Sequence, residues 1–126
     1  MKLRTTHNSI RIRIRKSELV TLQEHGVIVE SIQFPNGLLR FSLEVSESQD
    51  EVKAKFEDGH VQVLISQPIA DQWMTSQQVG IEREIALDNG ESLHVLIEKD
   101  FPCLDRQEED KSDTFWELAP ETPESC

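Results

Sequence analysis

The amino-acid sequence predicts a small α+β protein, mostly antiparallel, and three observations carry that prediction. Apolar and polar residues alternate over short runs, as they do in strands with one buried face. The runs are separated by compact turn signals such as Asp58-Gly59 and Asn89-Gly90. The arrangement strand-strand-helix-strand-strand then occurs twice, which points to an internal duplication with pseudo-twofold symmetry.

In order along the chain, Lys2, Leu3 and Arg4 alternate, and so does Ile10–Arg15, with isoleucine on one face and arginine on the other. His7 and Asn8 between them form a hairpin turn, because Asn tolerates positive φ. Ser17 caps a short helix through about Glu24, ended by Gly26. Strands at Val27–Phe34 and Leu39–Val45 flank Pro35-Asn36-Gly37, read as a type I turn with glycine at a left-handed bulge.

The second half repeats the plan. Val52–Glu57 and His60–Ser66 flank Asp-Gly, the strongest short hairpin signal. Pro68 opens a helix whose Ile69, Ala70, Trp73 and Met74 share a face, an arrangement more common in a core than in a ligand site. Val79–Leu87 and Leu93–Glu98 surround Asp88-Asn89-Gly90. A shift of 51 residues sets Ile10, Ile12 and Ile14 on Val61, Val63 and Ile65. After a two-residue insertion Ile28, Ile32 and Phe34 fall on Ile81, Ile85 and Leu87, and one further residue sets Leu39, Phe41 and Leu43 on Leu93, Val95 and Ile97.

The expected organisation is one domain over 1–104, with repeat units at about 1–49 and 51–99, because 126 residues supply only one modest core. Residues 105–126 read as a flexible acidic tail: eight acids, two bases, Pro120 and Pro123, and only Phe115, Trp116 and Leu118 as large apolar residues.

Charge is distributed unevenly. The chain carries a net −11, yet Met1 to Lys16 holds six bases and no acid, for +6. The other seven bases face all 24 acids, so the rest sums to −17. Such an acidic excess argues against binding nucleic acid or an anionic membrane with the whole surface. No apolar run reaches the roughly 20 residues of a membrane span, and the opening MKLRTTHNS leads into no signal-peptide core. The expectation is a cytoplasmic protein, with Cys103 and Cys126 forming no disulfide framework.

The opening MKLR and NSIRIRIRKSE, with the closing IEKDFPCLDRQEEDKSD, resemble a family of small bacterial proteins classed as a domain of unknown function. The likeness spans nearly the whole chain and implies no activity, substrate or catalytic residue. The segment FWELAPETPESC departs from it, since a shorter ending after Phe115 is expected.

Two constellations stand out. A turn at His7 and Asn8 sets Arg4 opposite Arg11 and Lys2 opposite Arg13, with Arg15 continuing the face, so five cations share one side of a hairpin. Opposed like charges in a sheet call for a counter-charge, from Glu30, Glu44, Glu82, Glu84, the acidic tail or a bound anion. These five residues are the candidates for binding an anion or a protein partner. Nucleic acid is not expected, because the first 33 residues hold no aromatic residue apart from His. The second constellation is Asp100, Cys103 and Asp105. The surrounding acids raise rather than lower a thiol pKa, so a nucleophilic cysteine is not expected. Neither a calcium loop nor a zinc motif is present in the sequence, and no metal, cofactor or catalytic set is expected. Function is therefore read as non-enzymatic binding of a partner through sheet edges or the basic hairpin, with a small phosphate-bearing or other anionic ligand on that hairpin as the alternative.

Overall fold

The structure is a computed structural model that describes residues 1–100. It is α+β, with strands β1 (Lys2–Thr5), β2 (Ser9–Ile14), β3 (Val27–Phe34), β4 (Gly37–Ser46), β5 (Val52–Glu57), β6 (His60–Ser66), β7 (Gly80–Ala86) and β8 (Ser92–Lys99), and helices α1 (Lys16–His25) and α2 (Gln67–Met74). The strands form two mixed, mostly antiparallel sheets of four, ordered β1-β2-β8-β7 and β3-β4-β6-β5.

The four hairpins pair across the halves of the sequence. Hairpin β1–β2 joins β7–β8 through a parallel central pair, Ile10 opposite Val95 to Ile14 opposite Lys99. Hairpin β3–β4 joins β5–β6 in the same way, Phe41 opposite Val61 to Val45 opposite Ile65. Applying the shifts read from the sequence turns one register into the other: Arg4 opposite Arg11 becomes Lys55 opposite Gln62, and Ile28 opposite Leu43 becomes Ile81 opposite Ile97. Turn contacts repeat as well. Arg40 N–H donates to Gly59 C=O at 2.9 Å and His94 N–H to Asn8 C=O at 3.0 Å, while Val45 N–H meets Gly26 C=O at 2.8 Å and Lys99 N–H meets Val79 C=O at 2.9 Å. Two similar β-β-α-β-β units thus interlock, each giving one hairpin to each sheet.

The inward rows of both sheets belong to one buried cluster that contains Ile12, Ile14, Ile81, Val95 and Ile97 from the first sheet and Phe41, Leu43, Val63 and Ile65 from the second. The helices each run from one sheet to the other and add Leu22, Ala70, Trp73 and Met74 to this cluster. Trp73 is fully enclosed, and its indole N–H donates to Val79 C=O at 2.9 Å, so the core reading of α2 holds.

Local details correct three expectations. Helix α1 begins at Lys16 rather than being capped by Ser17, because the Glu18 carboxylate accepts the Arg15 N–H at 2.8 Å and closes the first turn. The left-handed residue of the first turn is His7, φ 53°, and not Asn8; its counterpart Asp58 has φ 50°. Gly37 is not a left-handed bulge: Phe34 pairs directly with Gly37, so Pro35 and Asn36 alone make the turn. The second-half glycine does behave as expected, with Gly90 at φ 87°.

Candidate functional site

Strand register puts Lys2 opposite Arg13 and Arg4 opposite Arg11, the pairing anticipated from the turn. On the same outer face, β8 contributes His94, Leu96 and Glu98, and β7 contributes Glu82 and Glu84. The face therefore runs from cations on β1 and β2 to acids on β7.

Glu98 is the central counter-charge. It is only 7% exposed and accepts from Arg11 Nε at 2.5 Å, with Arg13 Nε at 3.2 Å. Asp100 lies 3.2 Å from Lys2 Nζ and 3.9 Å from Arg13 Nε. Arg15 has left the sheet and sits 3.5 Å from Glu18. Internal compensation is real, but the four glutamates named from sequence do not supply it. Glu30 contacts the Met1 ammonium at 2.6 Å, Glu44 holds Ser42 and Gln62, and Glu82 holds His94 at 2.7 Å. Glu84 sits on the acidic edge strand and makes no ion pair with the five cations among the described residues. Periodicity shows that residue 98 shares a face with its own neighbours, but it does not reveal that β8 lies beside β2, so this contact was hidden.

Arg4 differs from the other cations. It is exposed and has no ion-pair partner among the described residues. With Thr6, Ser9, Ile10, Arg11, His94 and Leu96 it lines a shallow cavity of about 230 Å³. His94 and Ser9 were not candidates from sequence, because Ser9 meets His94 only through the parallel β2–β8 pair.

The second sheet carries an equivalent polar cluster. Gln62 Nε2 donates to Glu44 Oε2 at 2.8 Å, at the positions that Arg11 and Glu98 occupy in the first sheet. Ser42 Oγ donates to the same Glu44 oxygen at 2.9 Å and lies 2.9 Å from His60 Nε2. This Ser-His contact does not make an activated nucleophile: the hydroxyl proton points to Glu44, and Ser42 is 2% exposed, leaving a substrate no approach. Sequence reasoning missed this cluster because its members come from two hairpins.

Near the start of α1 the Met1 ammonium contacts both Glu18 and Glu30. Burial alone would raise the Glu18 pKa, but hydrogen bonds from the ammonium and from Arg15 N–H outweigh it and hold the carboxyl below its ordinary range. Burial would likewise lower the ammonium, and the two carboxylates raise it above its ordinary value.

Cys103 and Asp105, the rest of the secondary candidate site, lie outside the described residues, as do any contact between His94 and Cys103 and the acidic tail. Among the described residues no group of His, Cys, Asp and Glu is placed to hold a metal ion, and no helix is long and apolar enough to cross a membrane. No curated protein and no solved structure significantly matches the chain. A family model does, over residues 1–118, taking in Phe115, Trp116 and Leu118: the chain belongs to the family described as Family of unknown function (DUF7009).

Proposed function

We propose that this protein is a non-enzymatic binding module whose contact surface is the basic hairpin β1–β2, and that it docks an acidic segment of a partner protein there. One observation carries the reading. Two rows of opposed cations lie side by side, and among the described residues three of the four cations meet an acid: Glu98 and Asp100 serve Lys2, Arg13 and Arg11, while Arg4 stays exposed beside Arg11. Like charges directly opposed across strands are destabilising, so an anionic group placed between Arg4 and Arg11 relieves repulsion as well as forming new pairs.

The cavity beside Arg4 favours a second reading, a compact anionic ligand held by Arg4 and Arg11 with Ser9 and His94 at its wall. Titrating the full chain with a poly-glutamate peptide and, separately, with inorganic pyrophosphate separates the two. Peptide binding that weakens steeply with salt and is lost in Arg4→Gln supports docking. Pyrophosphate binding alone, lost in the same variant, selects the ligand reading. If neither binds, or binding survives both Arg4→Gln and Arg11→Gln, the hairpin is not the contact surface.

A further inference from the structure

The second sheet ends in a bare apolar surface. On the face that carries Phe41 and Val61 into the core, strand register places Ile32 beside Leu39, and Phe56 beside Val61. Phe34 continues the row beyond Ile32. Phe56 is 73% exposed, and Ile32 and Phe34 are each 47% exposed. In the first sheet the position equivalent to Phe56 is Thr5, so this surface is not a by-product of the repeated architecture. Leaving several large side chains of one sheet face in water forgoes the free energy of burying them, and exposed apolar patches mark contact surfaces.

We propose that the Phe115–Leu118 segment of this same chain docks on that surface through Phe115, Trp116 and Leu118. Three facts select this occupant over an external one. In residues 105–126 these three are the only large apolar residues, set close together in sequence among eight acids. The match to the family model continues past the described residues and stops at 118, directly after that anchor. The reach suffices: the chain between Asp100 and Phe115 spans up to about 50 Å when extended, whereas the longest strand, of ten residues, is about 33 Å long. Tethering also removes much of the entropic cost that a free partner would meet, because the anchor is held at a high effective concentration. This inference is independent of the basic hairpin, which lies on the outer face of the other sheet.

Trp116 reports the contact directly in the full chain. Acrylamide quenching of the wild type, compared with Trp116→Phe, isolates its fluorescence from that of enclosed Trp73. The expected result is Trp116 quenched several-fold less than in a peptide of residues 105–126, unchanged on dilution, and rising to the peptide value in Phe56→Glu. A Phe115→Ser, Leu118→Ser double variant, which leaves every described residue intact, should also release Trp116. Quenching equal to that of the free peptide in the wild type overturns the proposal. So does protection that vanishes on dilution, which would make a second copy the occupant, or protection that persists in Phe56→Glu, which would place the anchor elsewhere.

Discussion

Arg11 and Glu98 stand 87 positions apart in sequence, yet the guanidinium donates to the carboxylate at 2.5 Å across the parallel strands that join the two ends of the described chain. In the other sheet, Gln62 donates to Glu44 at the same positions, so the fold accepts a neutral donor opposite that carboxylate. Glu98→Ala should therefore cost more stability than Arg11→Gln. Losing Glu98 strands Arg11 and Arg13 without their nearest counter-charge, at about 1–3 kcal/mol, whereas Arg11→Gln should stay under about 1 kcal/mol. Urea melts of the two variants check the order.

Trp73 is fully buried in the core cluster that both sheets share and spends its one N–H on Val79 C=O. Trp73→Ala should destabilise by about 3–5 kcal/mol through the cavity it opens. Trp73→Phe keeps most of the volume but leaves the carbonyl without that donor, so an intermediate loss is expected by the same measurement.

Stability should fall at both ends of the pH range through one cluster. The folded pKa of Glu18 lies below its ordinary value of 4.5, so its contribution is complete above that value and is lost as pH falls through the folded pKa. The Met1 ammonium is raised above 8.0, so its contribution is present below that value and is lost as pH rises through the folded pKa. Melting temperature recorded against pH should show both limbs. In Glu18→Gln the acidic limb should weaken, and acetylating the Met1 amine should flatten the alkaline one.

Matched turns suggest matched costs, but the side chains differ. Asn89 Oδ1 accepts Glu91 N–H at 3.0 Å and so ties the β7–β8 turn, whereas the Pro35-Asn36 turn is set by proline and by direct pairing of Phe34 with Gly37. Asn89→Ala should lower the melting temperature by a few degrees, and Asn36→Ala by less.

At Gly80 a Cβ would stand 2.9 Å from the Ile97 carbonyl and 3.2 Å from the Glu98 Cβ. Gly80→Ala should push β7 from β8 and disturb the Arg11 contact, giving a larger loss than Gly26→Ala would through conformational strain alone. Side-by-side thermal melts decide it.

Much of this was legible in the sequence, because a hairpin is a local object. The turns at His7 and Gly59 fix which residues face each other, so Lys2 with Arg13 and Arg4 with Arg11 followed from counting. The shifts of the two halves also carried over residue for residue into the paired strands. Which hairpin lies beside which did not follow. Alternation tells Glu98 which face it occupies and says nothing about its neighbouring strand, so Glu98 and His94 were missed as members of the cationic face. Asn8 and Gly37 were misread for a different reason: tolerance of positive φ is a permission, and the local pairing used His7 in one turn and no left-handed residue in the other.

The interlocked hairpins set an order of assembly. Strands β4 and β6 are close in sequence, as the 18 positions between Glu44 and Gln62 show, so the second sheet can close over a short loop early. The first sheet cannot: β2 finds its parallel neighbour only when β8 exists, 87 positions later. During synthesis the arginine-lined hairpin should therefore stay half-paired until most of the chain has emerged, and Glu98 then brings Arg11 and Arg13 their counter-charge as the last seam closes.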